Sequence, residues 1–442
     1  MNELKLKRSI IAVIPALVIV AGSVFVLSNH PAPAKADTIP EIDYAPNSIQ
    51  NGQSVTINGS GLGNNNGLPI SWDNFESGTN EQSLNGAQPV TGPPWSTFGV
   101  APLPSYSNNM SHSGSLSATT NWINYSIQSF GWSSPQNVPT PPGPAPYRSL
   151  YFSFWRYFVP EFPDNTFENA PANYKILYLF GNYDYLPPQS GSNMPQFMIG
   201  AIMPYRQNWQ YAIQDHPGAE FHWQESRSYW ATNNVWQRWE VYVRMESTPN
   251  ADDGYVEGWL DGVKVYQADN LNLFDAPAGT PAGTGWWSTI RLGNLWHGPG
   301  TLSKSYFDDF YISTTRARIE IGDAPTFSAC NHREIQIPHT TWDDNTIQLT
   351  INQGTFTSGE QAYLYVVDES GAVNTTGYPI TFAGATGCTP AWDCTNWSVC
   401  TNSIQTRSCH DNNNCGTDDG RPVETADCDS TAPGVVTDLV AS

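Results

Sequence analysis

The chain has 442 residues, with 19 Lys and Arg against 40 Asp and Glu and a formal net charge of −21. Such an acidic chain repels phosphate backbones, so we expect no nucleic-acid partner. The sequence also contains 36 Gly, 35 Pro and 17 Trp. Turn-forming and aromatic residues at this frequency, without long amphipathic helical patterns, favour an all-β protein. The acidity suits neutral polymers or divalent cations as partners, or it serves only solubility.

Residues 1–36 have the pattern of a signal peptide. Basic residues at 5, 7 and 8 precede an apolar run from Ile10 to Leu27, and Ala34-Lys35-Ala36 matches a small-x-small cleavage site. The run is just long enough to be a membrane span, so a retained anchor is the alternative. We expect a secreted or cell-surface protein, with membrane contact only through an uncleaved N-terminal segment or an anchor missing from this sequence.

Residues 37–71 contain one clear strand pattern. The stretch GQSVTINGSGLG, residues 52–63, turns at Gly52 into a strand over Ser54–Asn58 and then breaks at a run of glycines. It resembles the first strands of an IPT/TIG immunoglobulin-like domain. So short a segment cannot supply all the strands of such a domain.

The central part of the chain is organised around Trp236–Gln267. Its first strand alternates apolar residues with Arg238 and Glu240, which is the period of a half-buried strand. Two further strands flank Asp261-Gly262, where Gly supplies the positive φ of a two-residue hairpin turn. The sequence predicts three consecutive antiparallel strands here.

Other strand patterns surround this segment. Tyr151–Val159 is apolar on both faces, so it is predicted to be central and buried. The remaining candidates are Ile176–Phe180, Phe197–Met203, Trp209–Ile213, Ile290–Leu295 and Tyr306–Ser313.

The motifs WQRWEVYVR, DGYVEGWLDGVKV and YFDDFYIS together resemble the concanavalin A-like lectin/glucanase jelly roll over residues 72–318. The resemblance implies an antiparallel β-sandwich of a kind used by lectins, carbohydrate-binding modules, glycosidases and polysaccharide lyases.

Residues 319–385 form a predicted Ig-like β segment. Within it, residues 341–382 contain three strand patterns that look like the closing half of an Ig-like sheet. One hypothesis is that the jelly roll is inserted into a single Ig-like unit whose opening strand is Ser54–Asn58. The alternative is that the two flanking segments are unrelated.

Residues 386–430 contain six cysteines in a segment too small to fold on an apolar core alone. They are Cys388, Cys394, Cys400, Cys409, Cys415 and Cys428. Disulfides are favoured over zinc because the spacing lacks a C-x-x-C knuckle, and the connectivity stays open. The seventh cysteine, Cys330, is either a buried thiol or an intermolecular link.

The order of Trp392, Trp397 and Arg407 among these cysteines resembles a thrombospondin type-1 repeat. That resemblance implies that Arg407 stacks between the two Trp rings by cation–π contact. Residues 431–442 resemble a linker and the first strand of a fibronectin type III domain.

Three kinds of site are candidates. Acidic residues at both ends of the jelly roll suggest a structural Ca²⁺ site, because calcium prefers oxygen ligands; they are Asp73, Glu76, Asp308 and Asp309.

Aromatic rings offer faces on which sugars stack; the candidates are Trp209, Trp223, Trp230, Trp286, Trp287 and Trp296, about half of which we expect in the core. A polysaccharide lyase would instead use Arg206, Tyr211 and His222 to neutralise a uronate and abstract a proton. The E-x-D-x-E strand typical of retaining glycosidases of this fold is absent.

The sequence therefore predicts an all-β protein: an antiparallel β-sandwich of the jelly-roll type, Ig-like strands and a small disulfide-rich module. We expect it to bind an extracellular polysaccharide or glycan in adhesion, with Ca²⁺ in a structural role. The alternatives are a polysaccharide lyase or glycoside hydrolase on the same fold, and a purely structural surface or matrix protein.

Overall fold

The computed structural model describes much of the chain after residue 38. The described residues are 39–63, 69–121, 128–133, 147–159, 173–182, 196–202, 210–214, 221–225, 232, 234–248, 251–273, 286–294, 304–383, 390–401, 403–412 and 420–428. Within residues 196–225 only the backbone of the strands is described. The predicted signal peptide and the fibronectin-like segment 431–442 lie outside these residues.

The described residues form β-strands and one 3₁₀ turn, Phe327–Ala329, which confirms the all-β fold class. No helix among them is long and apolar enough to span a membrane.

The strands fall into four groups along the chain. The first group is β1 (Glu41–Tyr44), β2 (Ser48–Ile49) and β3 (Ser54–Ser60). The second group is β4 (Ser71–Asp73), β5 (Ser96–Gly99), β6 (Ser105–Ser107), β7 (Ser117–Asn121), β8 (Gln128–Ser133), β9 (Ser149–Val159), β10 (Asn173–Asn182), β11 (Gln196–Ile202), β12 (Gln210–Gln214), β13 (Phe221–Glu225), β14 (Trp236–Arg244), β15 (Gly254–Leu260), β16 (Val263–Leu271), β17 (Trp286–Asn294) and β18 (Lys304–Ser313). The third group is β19 (Arg318–Gly322), β20 (Arg333–Ile335), β21 (Ile337–Trp342), β22 (Thr346–Thr350), β23 (Gln361–Val367) and β24 (Tyr378–Phe382). The last group is β25 (Trp392–Cys394), β26 (Ile404–Thr406), β27 (Cys409–Asp411) and β28 (Thr425–Asp427).

The second group forms the jelly roll, a sandwich of two antiparallel sheets. One sheet has seven strands in the order β13-β12-β11-β10-β17-β8-β5. The other has the order β16-β15-β14-β9-β18-β7-β6, with β4 added beside β18. An aromatic and aliphatic core fills the space between the sheets, and Phe75, Trp132, Phe154 and Trp287 lie within it. Strand β9 is buried along almost its whole length, as its apolar sequence predicts.

The predicted three-strand segment is confirmed. Strands β14, β15 and β16 pair consecutively and antiparallel, and Leu260 pairs with Val263 across the two-residue turn. Asp261 and Gly262 have φ of 48° and 75°, which matches the left-handed geometry that such hairpin turns require. The Asp261 carboxylate also accepts hydrogen bonds from the Arg238 backbone and the Gln237 side chain.

A second sandwich, here called the split sandwich, is built from the first and third strand groups. Its sheets are β1-β3-β22-β21 and β2-β24-β23-β19-β20. Strand β3 pairs with β22, with Val55 opposite Leu349 and Ile57 opposite Ile347. This pairing is what the insertion hypothesis requires, because the strands of the jelly roll lie between β3 and β22 in the chain.

A buried ion network joins the two sandwiches. Glu320 of the split sandwich accepts hydrogen bonds from Arg238 of the jelly roll (2.8 Å), from Arg333 (2.9 Å) and from Arg318. The face of β14 that carries Arg238 and Glu240 is therefore covered, with each residue only 2% exposed. The prediction of a half-buried strand is wrong for this part of β14, because a second layer packs on it.

The electrostatics of this network favour its ionised form. Burial alone would raise the pKa of Glu320, but the charges of Arg238, Arg318 and Arg333 outweigh burial and hold that pKa well below its usual range. Tyr151 donates a 2.6 Å hydrogen bond to Glu240, and Arg318 lies over the Tyr151 ring. The charges thus satisfy one another in a space that water does not reach.

The cysteine-rich segment contains two described disulfides, Cys394–Cys409 and Cys400–Cys428. Cys388 and Cys415 lie outside the described residues. Cys330 is a buried free thiol, which agrees with the first of the two expectations for it.

The ring contacts in this segment differ from those expected. Arg407 lies over Trp397 at 4.4 Å, but it is Arg421 that lies over Trp392, at 5.6 Å. Each of the two Trp rings therefore contacts its own arginine, whereas the resemblance to a thrombospondin type-1 repeat predicts one arginine between them.

We predict that Glu320→Gln destabilises the protein by about 3 kcal/mol or more, because it removes the nearer of the two buried carboxylates that the three arginines share. Urea unfolding followed by Trp fluorescence measures the change. Glu41→Gln, at an exposed position of the split sandwich, is the matched control. A loss within about 0.5 kcal/mol, the range of ordinary surface substitutions, would contradict the prediction.

Candidate functional site

The outward face of the seven-stranded sheet carries a cationic and aromatic patch. In β17, Ile290 and Leu292 point into the core, so Arg291 between them lies on the opposite face. Its guanidinium group lies 3.8 Å from the centroid of Phe98 and 5.1 Å from that of Phe180. Tyr178 pairs with Arg291 in the ladder and stacks on Phe180 at 5.2 Å. These four residues, Phe98, Tyr178, Phe180 and Arg291, are the aromatic–arginine patch.

The backbone around the patch explains its openness. Gly131 stands opposite Arg291 in the neighbouring strand β8. A Cβ at this position would lie 1.9 Å from the carbonyl oxygen of Ile290, so a side chain is excluded there. The guanidinium group can therefore extend past β8 to reach Phe98 of the edge strand β5.

The guanidinium group of Arg291 contacts aromatic rings rather than carboxylates. Among the described residues no carboxylate forms an ion pair with Arg291, although the chain as a whole is strongly acidic. Burial lowers the pKa of Arg291 and raises the pKa of Tyr178 to about 12. Both groups therefore keep their ordinary protonation states near neutral pH, and the patch presents one cation beside a phenol.

Backbone register places several predicted residues relative to this patch. The row of paired residues that contains Arg291 and Tyr178 continues through Met198 and Ala212 to Trp223. Tyr211 lies in the adjacent row, which begins at Leu292.

The proposed lyase residues are only partly described. His222 lies in the row of Ile290, on the other side of the row that contains Arg291, so it is not opposite Tyr211. Arg206 lies outside the described residues. The structure therefore gives no side-chain geometry for a lyase site built from these three residues.

The predicted sugar-stacking tryptophans must be corrected at two positions. Trp286 is 6% exposed and Trp287 is fully buried, so neither ring offers a face to a sugar. A register irregularity between Phe180 and Gly181 sits where β10 pairs with these two residues, and simple alternation does not apply there. Trp209, Trp230 and Trp296 lie outside the described residues, and only the backbone of Trp223 is described.

The four predicted calcium ligands serve other contacts. Asp73 is buried and accepts hydrogen bonds from the Trp95 indole and the Phe75 backbone. Glu76 accepts bonds from the backbone of Ser115 and Leu116 at 2.9 and 2.7 Å. N–H donors thus surround oxygens that calcium would require.

Asp308 and Asp309 likewise fix a loop. Asp308 accepts hydrogen bonds from the backbone of His112 (2.8 Å) and Ser113 (3.3 Å), while Asp309 contacts the His112 Nδ1 at 3.1 Å. No metal-binding group among the described residues includes any of the four acids. Glu76, Asp308 and Asp309 hold the segment between β6 and β7, whereas Asp73 holds the Trp95 indole and the Phe75 backbone; calcium binding by these four acids stays a prediction.

The segment between β6 and β7 contributes His112 to a cluster of possible metal ligands that the sequence analysis did not identify. His112 of the jelly roll meets His332 and Glu334 of the split sandwich, and one ligand atom from each lies within 4.8 Å of the others. No short motif spacing links residues so distant in sequence. Arg291 was also missed, although a lone arginine between core residues Ile290 and Leu292 is a readable signal of an outward charge.

Comparisons with known proteins bear on the architecture alone. No protein-family model and no curated protein matches the chain. Among solved structures, the endo-β-1,4-glucuronan lyase of the fungus Trichoderma reesei aligns with a TM-score of 0.36 and 16% identity, over 54% of this chain and 95% of that chain. The alginate lyase Aly36B aligns with a TM-score of 0.35 and 10% identity, over 56% and 97% of the two chains.

A lectin-like structure is also similar. The carbohydrate recognition domain of Emp47p aligns with a TM-score of 0.29 and 9% identity, over 55% of this chain and 93% of that chain. All three are β-sandwich proteins. Since each TM-score is below 0.5, these similarities carry no argument about the activity of this chain.

We predict a distinctive pH dependence from Asp73. Burial raises its pKa to about 6, even though hydrogen bonds from Trp95 and Phe75 act in the opposite direction. The folded protein then holds this proton more tightly than the unfolded chain. The stabilisation is full below about pH 4 and is lost as the pH rises through about 6, by up to about 3 kcal/mol.

Unfolding free energies measured between about pH 4 and pH 7 test this prediction. Relative to Asp73→Asn, the wild type should lose up to about 3 kcal/mol of unfolding free energy over that interval, because only the wild type titrates at this position. Asp43→Asn, at an exposed aspartate, should follow the wild-type curve. Parallel curves for the wild type and Asp73→Asn would contradict the assignment.

Proposed function

We propose that this protein is an exported carbohydrate-binding protein that recognises acidic polysaccharides on the outward face of its seven-stranded sheet. The observation that carries the proposal is the aromatic–arginine patch, where Arg291 is flanked by Phe98 and Phe180. Aromatic faces bind the apolar faces of sugar rings, and a guanidinium group binds carboxylates in bidentate geometry. A uronate-containing chain offers both groups in each residue.

The local charge at the patch favours an acidic ligand, whereas the overall charge of the chain does not. The chain is acidic overall, so long-range attraction does not bring a polyanion to it. Recognition must then depend on a local cation, and Arg291 has no carboxylate partner among the described residues that would compete with the ligand. A partly buried guanidinium group is also less well screened by solvent, which strengthens its contact with a bound carboxylate.

The two disulfides support an extracytoplasmic location, because such bonds persist mainly in oxidising compartments. The signal-peptide pattern of residues 1–36 points the same way. In this proposal the split sandwich and the disulfide segment, which resembles a thrombospondin type-1 repeat, space the sugar-binding face from its attachment and contribute to adhesion.

Binding of the full chain to alginate, polyglucuronate and a neutral glucan, measured by calorimetry, tests the proposal. We expect the wild type to bind the two polyuronates, and Arg291→Gln to bind them about 10- to 100-fold more weakly, because one charge-assisted contact is lost. Arg244→Gln is the matched control, because Arg244 is an exposed arginine on the other sheet. Trp223→Ala tests whether the site extends along the register row of Arg291.

The same experiment separates binding from catalysis. Absorbance at 235 nm reports the unsaturated uronates that a lyase would produce. Binding without a rise in absorbance supports the carbohydrate-binding protein, and a rise would make the lyase alternative correct. An Arg291→Gln variant that binds polyuronates as tightly as the wild type would overturn the proposed site, and no binding to any polysaccharide would favour a structural role.

A further inference from the structure

His112, His332 and Glu334 meet at the contact between the two sandwiches. His112 lies in the segment between β6 and β7 of the jelly roll, whereas His332 and Glu334 lie at β20 of the split sandwich. The Glu334 Oε1 atom lies 2.9 Å from the His332 Nε2 and 3.8 Å from the His112 Nε2. We propose that these three side chains bind one Zn²⁺ ion that connects the jelly roll to the split sandwich.

The distances suit a small tetrahedral ion. Zinc ligands at about 2.0–2.2 Å from the metal are separated from one another by about 3.3–3.5 Å in tetrahedral geometry. The two measured separations bracket this value, and the ligand atoms of all three residues lie within 4.8 Å of one another, so a closer approach of the two imidazoles by at most about 1.5 Å would complete the coordination. Two imidazole nitrogens and one carboxylate oxygen form a ligand set that zinc accepts, whereas calcium requires six to eight oxygens.

The surroundings of His112 are those of a metal-binding histidine. Its Nδ1 lies 3.1 Å from the Asp309 carboxylate, which leaves the Nε2 lone pair directed away from that contact. Its ring stacks on Trp155 at 3.8 Å with an interplanar angle of 15°. A carboxylate behind the histidine fixes the ring and its tautomer and increases its basicity as a ligand.

Glu334 is also held in place, by contacts with the backbone of residues 354 and 355. The backbone N–H of Thr355 donates to Glu334 Oε1 at 3.2 Å. Gly354, with φ of 56°, lies so close that a Cβ there would be 2.3 Å from the carboxylate. Thr355 Oγ1 also lies 2.9 Å from His332 Nε2, beside the position that a fourth ligand or a water molecule would take.

An ion can reach this cluster from one side. The His332 side chain is 25% exposed, whereas those of His112 and Glu334 are 5% and 1% exposed. Zinc would enter past His332 and complete its coordination on the two buried ligands. Because the ligands belong to both sandwiches, the ion would stabilise their contact and would act independently of the sugar-binding face.

Titration of the EDTA-treated full chain with ZnCl₂ at about pH 8, where both imidazoles can lose their protons to the metal, tests the proposal. We expect the wild type to bind one more equivalent of Zn²⁺ than His332→Ala, and Zn²⁺ to raise the thermal midpoint of the wild type alone. Co²⁺ in place of Zn²⁺ should give the visible absorption bands of a tetrahedral site. His410→Ala removes an exposed histidine elsewhere and should behave as the wild type.

Two further variants keep the test independent of folding defects. Glu334→Gln keeps an acceptor for the Thr355 N–H but removes the charged ligand, and should also lose the equivalent. Asp309→Asn should weaken binding by about 10- to 100-fold without changing the stoichiometry. Equal zinc stoichiometry in the wild type and His332→Ala, or no binding by the wild type, would show that the cluster is only a hydrogen-bonded contact and would overturn the proposal.

Discussion

The structure depends on a buried ion network in which two carboxylates, Glu320 and Glu240, face arginines from both sandwiches. Arg238 comes from the jelly roll, while Arg318 and Arg333 come from the split sandwich. Burying a charge is costly unless it is paired, so each of these groups is stable in place only while the others are present. Sliding one sandwich over the other would separate these charges while they are still buried. The ion network therefore opposes such a movement.

This rigid contact has consequences at both candidate sites. It fixes the eight-stranded sheet against the split sandwich, whereas the aromatic–arginine patch lies on the seven-stranded sheet, away from this contact. It also fixes the segment around His112 against β20. A metal site assembled from two lobes needs its ligands placed within fractions of an ångström, and the ion network next to it provides that placement.

Much of the fold could be predicted from local patterns. The period-2 alternation of β14 to β16, the Asp261-Gly262 turn and the doubly apolar β9 are all encoded within a few residues. The pairing of β3 with β22 could only be a hypothesis, because nothing local states which distant strand completes a sheet. The burial of Arg238 and Glu240 was missed for the same reason, since charged residues on a strand indicate solvent unless the covering layer is known.

The sites were harder to predict because their chemistry comes from tertiary contacts. Asp308 and Asp309 have the composition of a cation site, yet a distant loop contacts both carboxylates: its backbone N–H groups donate to Asp308, and the His112 ring and the Ser113 hydroxyl contact Asp309. Trp286 and Trp287 were both candidates for sugar stacking, yet both rings are buried beside a ladder irregularity. The separate partners of Trp392 and Trp397 illustrate the same limit, because Arg421 reaches its ring through the fold of the loop rather than through motif spacing.

The insertion of the jelly roll also sets the order in which strands become available for pairing as the chain is made. Strand β1 precedes β3 and can pair with it early, whereas Asn58 on β3 meets Thr346 of β22 only 288 residues later in the chain. The inserted jelly roll is complete in sequence before that moment, and long-range pairing of this kind is slow. The split sandwich therefore cannot pair β3 with β22 until the whole inserted segment has been synthesised.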